Sequence, residues 1–400
     1  MSYLNNLRRC AGLLIVLNLG VTTGWAQSIQ SISPFQATRI QRPFTGPAVY
    51  SSAPQGAKLV YQDSTNLSPF ASCTANQAWP WTAQYSPDGN HLYVPLFGGF
   101  TGQGGCTLLK LDASSMQHLA TIQVQESPEE VVFSTDASGL LARGFVTNSS
   151  ASSVTVFDAN DQVLGHIPIP VRPGNTFGSA FPFGMAVSPD QSTVWVGTSG
   201  GRIFALDVAS LALDLNRTID LGPEVGFARF AFMGNLLVLP ATQYHQSYLG
   251  STAKLIVMDP ALPSAAQELV LATSPSAAAF PSPQDLAIHN GKIYVAGFDM
   301  GPQVFVVDPQ SLTLDTTLST GTGNPQGKFQ ALNVTPAGML LVADFTTAEI
   351  ARIDTFTGHM LGIVPAQFHG FGPQELTVSP DGQTLILPMA SDVLLRFQLQ

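Results

Sequence analysis

One short sequence pattern recurs along the whole chain, and it restricts the possible folds more than any other feature. The segments "YSPDGNHLYVPL" (residues 85–96) and "VSPDGQTLILPM" (residues 378–389) are near copies, and five weaker copies lie between them. The seven reference positions, spaced by 44 to 56 residues, are Ser86, Ser134, Ser188, Met233, His289, Thr335 and Ser379. A repeat of this period is typical of architectures built from one supersecondary unit.

Each unit has the pattern of four short β-strands. The first strand leads into a turn of the Ser-Pro-Asp-Gly kind, in which Pro fixes one φ angle and Gly supplies a positive one. The second strand is almost entirely apolar, and the third ends in an aspartate whose carboxylate is expected to accept a backbone N–H of the next turn. In the seventh unit Gln398 replaces this aspartate. The six units that carry it have Asp112, Asp158, Asp207, Asp259, Asp308 and Asp354.

The apolar character of these units predicts how they assemble. A four-stranded sheet that is apolar on both faces is stable only when neighbouring sheets cover it. Radial repetition provides those neighbours. We therefore predict an all-β protein, a seven-bladed β-propeller of four-stranded antiparallel blades.

The last unit contains only three strand patterns before Gln400. The run "AKLVYQD" (residues 57–63), upstream of the first unit, has the pattern of a strand that lacks a partner. We predict that this N-terminal strand completes the last blade and closes the ring. Closure would remove an open sheet edge, which otherwise favours aggregation.

Composition and charge exclude two classes of partner. Charged residues make up 10% of the sequence, and the net charge is −10. Phosphate contacts need clustered Lys and Arg, and only 16 of these occur among 400 residues, so we expect no nucleic-acid partner. The acidic balance argues equally against an anionic membrane surface.

The N-terminal residues have the pattern of an export signal. A short basic region precedes an apolar run that ends at Val21, and small residues favour cleavage after Ala26. We predict a signal peptide at residues 1–26, an N-terminal arm or linker at 27–56, and the propeller at 57–400. The apolar run is too short to span a bilayer easily, so we expect no membrane span after cleavage. The prediction is an exported monomer, periplasmic or extracellular.

Cysteine usage agrees with export. Cleavage would remove Cys10 and leave Cys73 and Cys106. In an oxidising compartment two remaining thiols tend to pair, so we predict a Cys73–Cys106 disulfide. Two unpaired thiols are the alternative.

The repeats resemble those of the YVTN family of bacterial β-propellers. The pattern SPDG-x-x-LYV, followed by V-x-V-x-D and T-x-x-V-x-x-T-I-x-V, is matched best by residues 86–124, 188–221 and 379–397. The resemblance covers about residues 57–400 and implies an exported binding or scaffold protein. Related propellers include haem-bearing and quinoprotein subunits, streptogramin lyase and gluconolactonase-type hydrolases. The resemblance therefore implies a fold and no particular reaction.

Propeller geometry is expected to bring two adjacent positions of every unit to the mouth of the central channel. Four residues before each reference position stand Thr82, Glu130, Gly184, Arg229, Asp285, Ala331 and Glu375. One residue earlier stand Trp81, Glu129, Phe183, Ala228, Gln284, Gln330 and Gln374. We call these two sets the channel ring.

Aromatic side chains in nearby loops, such as Phe97 and Tyr244, would add walls to this ring and make a small-molecule pocket. The candidate ligand-binding residues are Trp81, Glu130, Phe183, Arg229, Asp285, Gln374, Glu375 and the loop residue His369. The alternative is that the ring only seals the channel, with its carboxylates accepting backbone N–H groups at strand starts.

A metal site is the sharper version of this hypothesis. Glu130, Asp285 and Glu375 could hold a hard divalent cation, as acidic and amide ligands do in gluconolactonase-type enzymes, although Arg229 would oppose one. We predict no other cofactor, and the absence of a C-x-x-C-H motif excludes covalent haem. No residue is identified as catalytic; His369 and His245 are the two histidines on the candidate face.

These patterns favour a non-enzymatic binding or scaffold protein. It would engage a partner protein, a glycan or a small ligand through the loops around the channel, where propellers carry their most variable segments. The alternative is a propeller enzyme, a lactone hydrolase or lyase, that uses the channel-mouth carboxylates or His369.

Overall fold

The computed structural model describes residues 58–99, 104–174, 179–245, 249–276, 278–367 and 369–400. In these ranges the chain forms 29 β-strands and two single-turn 3-10 helices, Ser68–Phe70 and Pro263–Ala265. No helix in these ranges is long and apolar enough to cross a membrane. The predicted signal peptide (1–26) and arm (27–56) lie outside the described residues.

The strands form seven antiparallel sheets, one for each sequence unit, which confirms the predicted seven-bladed β-propeller. Strands are given from the axis outward. Blade 1 contains β2 (Gln84–Tyr85), β3 (His91–Leu96), β4 (Thr107–Asp112) and β5 (His118–Gln123), and blade 2 contains β6 (Pro128–Thr135), β7 (Leu141–Asn148), β8 (Ser153–Asp158) and β9 (Val163–Pro168). Blade 3 contains β10 (Pro182–Val187), β11 (Thr193–Thr198), β12 (Arg202–Asp207) and β13 (Ala212–Asp220). Blade 4 contains β14 (Val225–Phe227) and β15 (Ala231–Met233), which together form its inner strand, followed by β16 (Leu236–Tyr244), β17 (Ser251–Met258) and β18 (Gln267–Ser274). Blade 5 contains β19 (Ser282–His289), β20 (Lys292–Phe298), β21 (Gln303–Asp308) and β22 (Thr313–Ser319). Blade 6 contains β23 (Phe329–Val334), β24 (Met339–Asp344), β25 (Glu349–Asp354) and β26 (Met360–Pro365). Blade 7 contains β27 (Thr377–Val378), β28 (Thr384–Met389), β29 (Val393–Leu399) and, outermost, β1 (Leu59–Asn66).

Two faces of the ring follow from this meander. We call the end where inner strands begin, and where second strands are joined to third strands, the loop face. The opposite end, with the hairpin turns of the sequence repeat, is the turn face. Between blades the apolar side chains pack into successive cores, such as the one that joins Leu341 of blade 6 to Leu387 of blade 7.

The turn face shows the predicted turn chemistry. Gly89 has a φ of +80° and donates its N–H to Ser86 O at 2.8 Å, and Gly382 and Ser379 repeat this arrangement in blade 7. At the end of the third strand, Asp112 Oδ1 accepts the backbone N–H of the second and third residues of the next turn, at 3.1 and 2.8 Å. Hydrogen bonds from the Ser114 hydroxyl and from Ser115 hold the pKa of Asp112 below its usual range. Many of the chain's acids are thus turn caps.

The predicted ring closure is confirmed. Strand β1 pairs antiparallel with β29, from Leu59 opposite Leu399 to Asn66 opposite Val393, and it forms the outermost strand of blade 7. Arg396 Nε donates to Asp63 Oδ1 at 2.9 Å across this pair. The first and last strands of the described chain therefore share one sheet.

The predicted disulfide is also present. Cys73 lies in the segment that leads from β1 to blade 1, and Cys106 immediately precedes β4 of blade 1; their sulfur atoms are bonded. The bond therefore fastens the segment that follows the closing strand to the first blade.

Candidate functional site

Every inner strand carries a one-residue bulge at the channel ring. In blade 2, Glu129 and Glu130 together stand opposite Thr147, and the same shift of one residue occurs in the other six blades. In blade 4 the bulge divides the inner strand into β14 and β15, with Arg229 in the break. Because a bulge bends its strand and re-aims side chains, the ring residues depart from simple strand alternation.

The sequence carries a signal for these bulges that the repeat alignment alone does not use. Proline precedes the ring pair in five of the seven units: Pro80, Pro128, Pro182, Pro283 and Pro373. Proline donates no backbone hydrogen bond, so within sheets it is tolerated mainly at bulges, strand starts and edges. Its recurrence marks the point where the inner strand leaves regular pairing.

Two ring carboxylates connect adjacent blades. Asp285 Oδ2, on blade 5, accepts the backbone N–H of Leu332 on blade 6 at 2.8 Å. Glu375 Oε2, on blade 7, accepts the backbone N–H of Ala83 on blade 1 at 2.6 Å. Both carboxylates therefore accept backbone N–H groups between blades, which is the sealing role. The second contact lies at the junction where the ring closes, because it joins the last blade to the first.

Arg229 brings the opposite charge to these carboxylates. Its Nη1 lies 3.0 Å from Glu375 Oε1 and 4.0 Å from Asp285 Oδ2. The shorter contact is a close ion pair. Blades 4 and 7 are three positions apart, the largest separation in a ring of seven, so the pair spans the channel. All three side chains are at most 1% exposed, and the channel is therefore filled at this level.

Blade 2 contributes two adjacent buried acids. Burial raises the pKa of Glu129 well above its usual range, the neighbouring Glu130 raises it further, and the Ser149 hydroxyl lowers it. Both causes that raise this pKa favour the protonated, uncharged form of Glu129. The backbone N–H of Glu130 donates to Thr147 Oγ1 at 3.0 Å, so the blade's second strand holds this position too.

The ring glutamines are buried as well. Gln374 Nε2 donates to Gly372 O at 2.9 Å, and Gln284 Nε2 donates to Ser282 Oγ at 2.8 Å. Both amides thus bond to the residue two positions earlier in the chain. Gln330 is fully buried on blade 6. On blades 5, 6 and 7 the first of the two ring positions therefore carries a neutral amide, and the carboxylates Asp285 and Glu375 stand at the second position.

The predicted aromatic residues belong to two separate clusters on the loop face. Trp81 is fully buried and packs against Trp79 and Phe97, with 4.6 Å between the ring centroids of Trp81 and Phe97. Phe183 is buried with Tyr244 on the other side of the ring. These five side chains pack against other aromatic groups within their own cluster.

His369 lies apart from the inner strands. Its ring stacks on Tyr61, with centroids 3.7 Å apart and an interplanar angle of 9°. Tyr61 belongs to β1, the outermost strand of blade 7, and also meets Phe397 edge to face. The structure thus joins His369 to the closing strand, a contact that no local sequence pattern indicates.

A cation of the protein itself already lies between the carboxylates that were predicted as metal ligands. The guanidinium of Arg229 stands where a metal ion held by Asp285 and Glu375 would have to lie. Backbone N–H groups also donate to both oxygens of Asp285 and to Oε2 of Glu375. Within the described ranges, no group of three or more His, Cys, Asp or Glu side chains is placed to hold a metal ion.

The exposed apolar groups of the loop face lie outside the ring. Phe371, before β27, is 55% exposed, and Leu249, between β16 and β17, is 59% exposed. One charged pair on this face is that of Lys328 with Asp299. The turn face carries the capping aspartates, such as Asp112 and Asp158.

Comparisons with protein-family models and with curated proteins found no match.

Proposed function

We propose that the chain is an exported binding protein of the YVTN-repeat type that engages a partner protein through its loop face. The propeller is a rigid support for loops, and loops on rigid supports are where proteins commonly carry recognition. The disulfide and the absence of a membrane-crossing helix in the described ranges are consistent with export.

The observation that carries this proposal is the buried ion pair between Arg229 and Glu375. Because it fills the channel, the ring offers a ligand neither free charge nor an open cavity at that level. A partner would instead contact exposed apolar side chains of the loop face, Phe371 and Leu249. Apolar groups on well-separated loops suit an extended protein surface better than a small molecule, which needs a concave pocket.

The enzyme hypothesis gains no support from the geometry. A lactone hydrolase or lyase would need its substrate to reach the ring carboxylates, yet Glu130, Asp285 and Glu375 are at most 1% exposed. His369, the other candidate, is engaged by Tyr61 at the rim of blade 7.

Site-specific photo-crosslinking tests the proposal. A crosslinking residue is placed at position 371 of the full chain, produced in its native host, and a matched one is placed at position 356. Phe356 is 73% exposed on the turn face, between β25 and β26, which makes it a control of similar size and greater exposure. We expect a discrete protein adduct from position 371 and none from position 356.

The recovered partner then allows an affinity measurement. The pair of changes Phe371→Ser and Leu249→Ser should weaken binding at least about tenfold, since removing two apolar anchors costs more than 1.4 kcal/mol. Phe356→Ser should leave the Kd unchanged. Adducts from position 356 alone would contradict a loop-face partner. The mass of the exported chain tests export separately, because cleavage after Ala26 predicts a mature chain that begins at Gln27.

A further inference from the structure

Four Asn-x-Ser/Thr triplets occur in the sequence, beginning at Asn66, Asn148, Asn216 and Asn333. This triplet is the acceptor pattern for N-linked glycosylation of exported proteins, and it is used only where the asparagine is accessible. The triplet alone carries little information, but the four copies lie in very different surroundings.

Two of the acceptor asparagines are buried and fully engaged. Asn148 Nδ2 donates to Thr155 Oγ1 at 2.9 Å and to Ser153 Oγ at 3.0 Å inside blade 2. Asn333 Nδ2 donates to Leu376 O at 2.8 Å, which connects blade 6 to blade 7. Neither amide nitrogen can be modified in the folded protein without breaking these contacts.

In the triplet at Asn66 the first and third residues are exposed and bond to each other. Asn66 Oδ1 accepts both the N–H of Ser68, at 3.0 Å, and its hydroxyl, at 2.7 Å. The middle residue, Leu67, is fully buried in the core. An enzyme would have to pull the closing segment away from the propeller to reach this triplet.

The triplet at Asn216 stands on an outward bulge of β13, the outermost strand of blade 3. Ile203 of β12 pairs with Ile219, and Ala205 pairs with Asp214, so residues 215–218 stand opposite a single residue of β12. Asn216 is exposed, its neighbour Leu215 is 59% exposed, and none of the described hydrogen bonds involves the side-chain amide of Asn216.

Contacts on both sides hold this bulge in shape. Asp214 Oδ1 accepts the backbone N–H of Asn216 at 3.1 Å, which forms a local turn. Arg217 folds back over the Trp195 ring, with its guanidinium carbon 4.9 Å from the centroid, and donates to Thr193 Oγ1 at 3.2 Å. The arrangement displays Asn216 on a small projecting loop while the blade beneath remains intact.

We propose that Asn216 is an N-glycosylation site, with a lipid-linked oligosaccharide as donor. A bond forms between Nδ2 of Asn216 and the anomeric carbon of the first sugar, while the bond from that carbon to the donor's diphosphate breaks. The lipid diphosphate leaves with the bonding electrons, and Nδ2 gives up one proton. The inference rests on the export part of the proposed function, because such transferases act on exported chains.

The position suggests what the glycan would do. The strand β13 is a sheet edge at the rim, and the bulge leaves part of its backbone unpaired. Unpaired edges invite strand addition from other chains, and bulky hydrophilic groups block it. A glycan at Asn216 would shield this edge without covering the loop face.

The test uses the full chain in a host whose secretory route glycosylates asparagine. A positive control is Gln162→Thr, which completes a triplet at Asn160 in the exposed turn between β8 and β9. Intact-mass and peptide measurements should show an oligosaccharide on Asn216 of the otherwise unaltered chain. Asn216→Gln and Thr218→Ala should abolish it, Thr218→Ser should retain it, and Asn66→Gln should leave it unchanged.

The outcomes separate the two proposals. A chain that begins at Gln27 and carries sugar on Asn160 in the control, but none on Asn216, overturns the glycosylation site and leaves export intact. A chain that retains residues 1–26 and carries no sugar overturns both. Sugar found on Asn66 instead of Asn216 also overturns the proposal. Unchanged melting temperatures of the Asn216→Gln and Thr218→Ala variants would show that loss of sugar is not loss of folding.

Discussion

Arg229 and Glu375 meet across the central channel, with Nη1 and Oε1 3.0 Å apart on blades that lie on opposite sides of the ring. Glu375 also accepts the backbone N–H of Ala83, so the same carboxylate links blade 4, blade 7 and blade 1. The residues predicted as a ligand site thus form a buried polar hub between blades.

Removal of the guanidinium should destabilise the whole ring. Arg229→Met leaves buried carboxylates without their cation, and breaking a buried pair from one side typically costs about 3–5 kcal/mol. The measurement is the free energy of unfolding from urea titration. A matched double variant, Arg229→Met with Glu375→Gln, should lose less than the sum of the two single changes. Strict additivity would contradict a direct interaction.

Glu129 predicts an unusual dependence of stability on pH. Its folded-state pKa is raised, mainly by burial, whereas the unfolded side chain ionises near 4.5. Between these two pKa values the native state holds more protons than the unfolded state, so its contribution to stability falls as pH rises. The loss is at most about 1.4 kcal/mol for each pH unit.

Glu129→Gln should remove this dependence. The neutral amide has nearly the same shape, so the variant and the original chain should have similar unfolding free energies near pH 4. The variant should gain relative stability as pH increases from 5 to 8. Urea titrations across this range provide the measurement, and two parallel pH profiles would show that Glu129 carries no such penalty.

The disulfide should stabilise the ring through the segment that follows the closing strand. Replacing Cys73 and Cys106 together by serine should lower the free energy of unfolding by about 3–4 kcal/mol on the chain-entropy model. A reducing agent should produce a similar loss in the original chain and none in the double variant. Equal stability of the two oxidised proteins would contradict this role.

Deletion of residues 57–63 should sharply lower the melting temperature. The deletion removes most of β1 and exposes β29 as an unpaired edge in blade 7. Thermal unfolding followed by circular dichroism measures the effect. Deletion of residues 27–56, the predicted arm, is the matched control and should leave the melting temperature nearly unchanged. Similar curves for both deletions would contradict closure by β1.

Much of the site's composition could be read from the repeat, but its function could not. Aligning the units places Asp285 and Glu375 at one level of the inner strands, and the structure has both there. The repeat does not show that each carboxylate accepts an N–H from the following blade, because this depends on how adjacent sheets are rotated. The bulge adds a one-residue shift, marked in the sequence by proline, that changes where the ring side chains point.

The sequence by itself determined the blade count, the four-strand unit, the turn chemistry and the closing strand. The first three depend on interactions between residues close along the chain or on simple apolar periodicity. The closing strand pairs distant residues, but it follows from the repeat, because the last unit has three strand patterns and residues 57–63 supply a fourth. Only the tertiary structure decided that Arg229 pairs with Glu375, that His369 stacks on Tyr61, and that the aromatic ring residues pack among themselves. Those contacts join distant segments, and their geometry arises only when seven separately encoded sheets are brought around one axis.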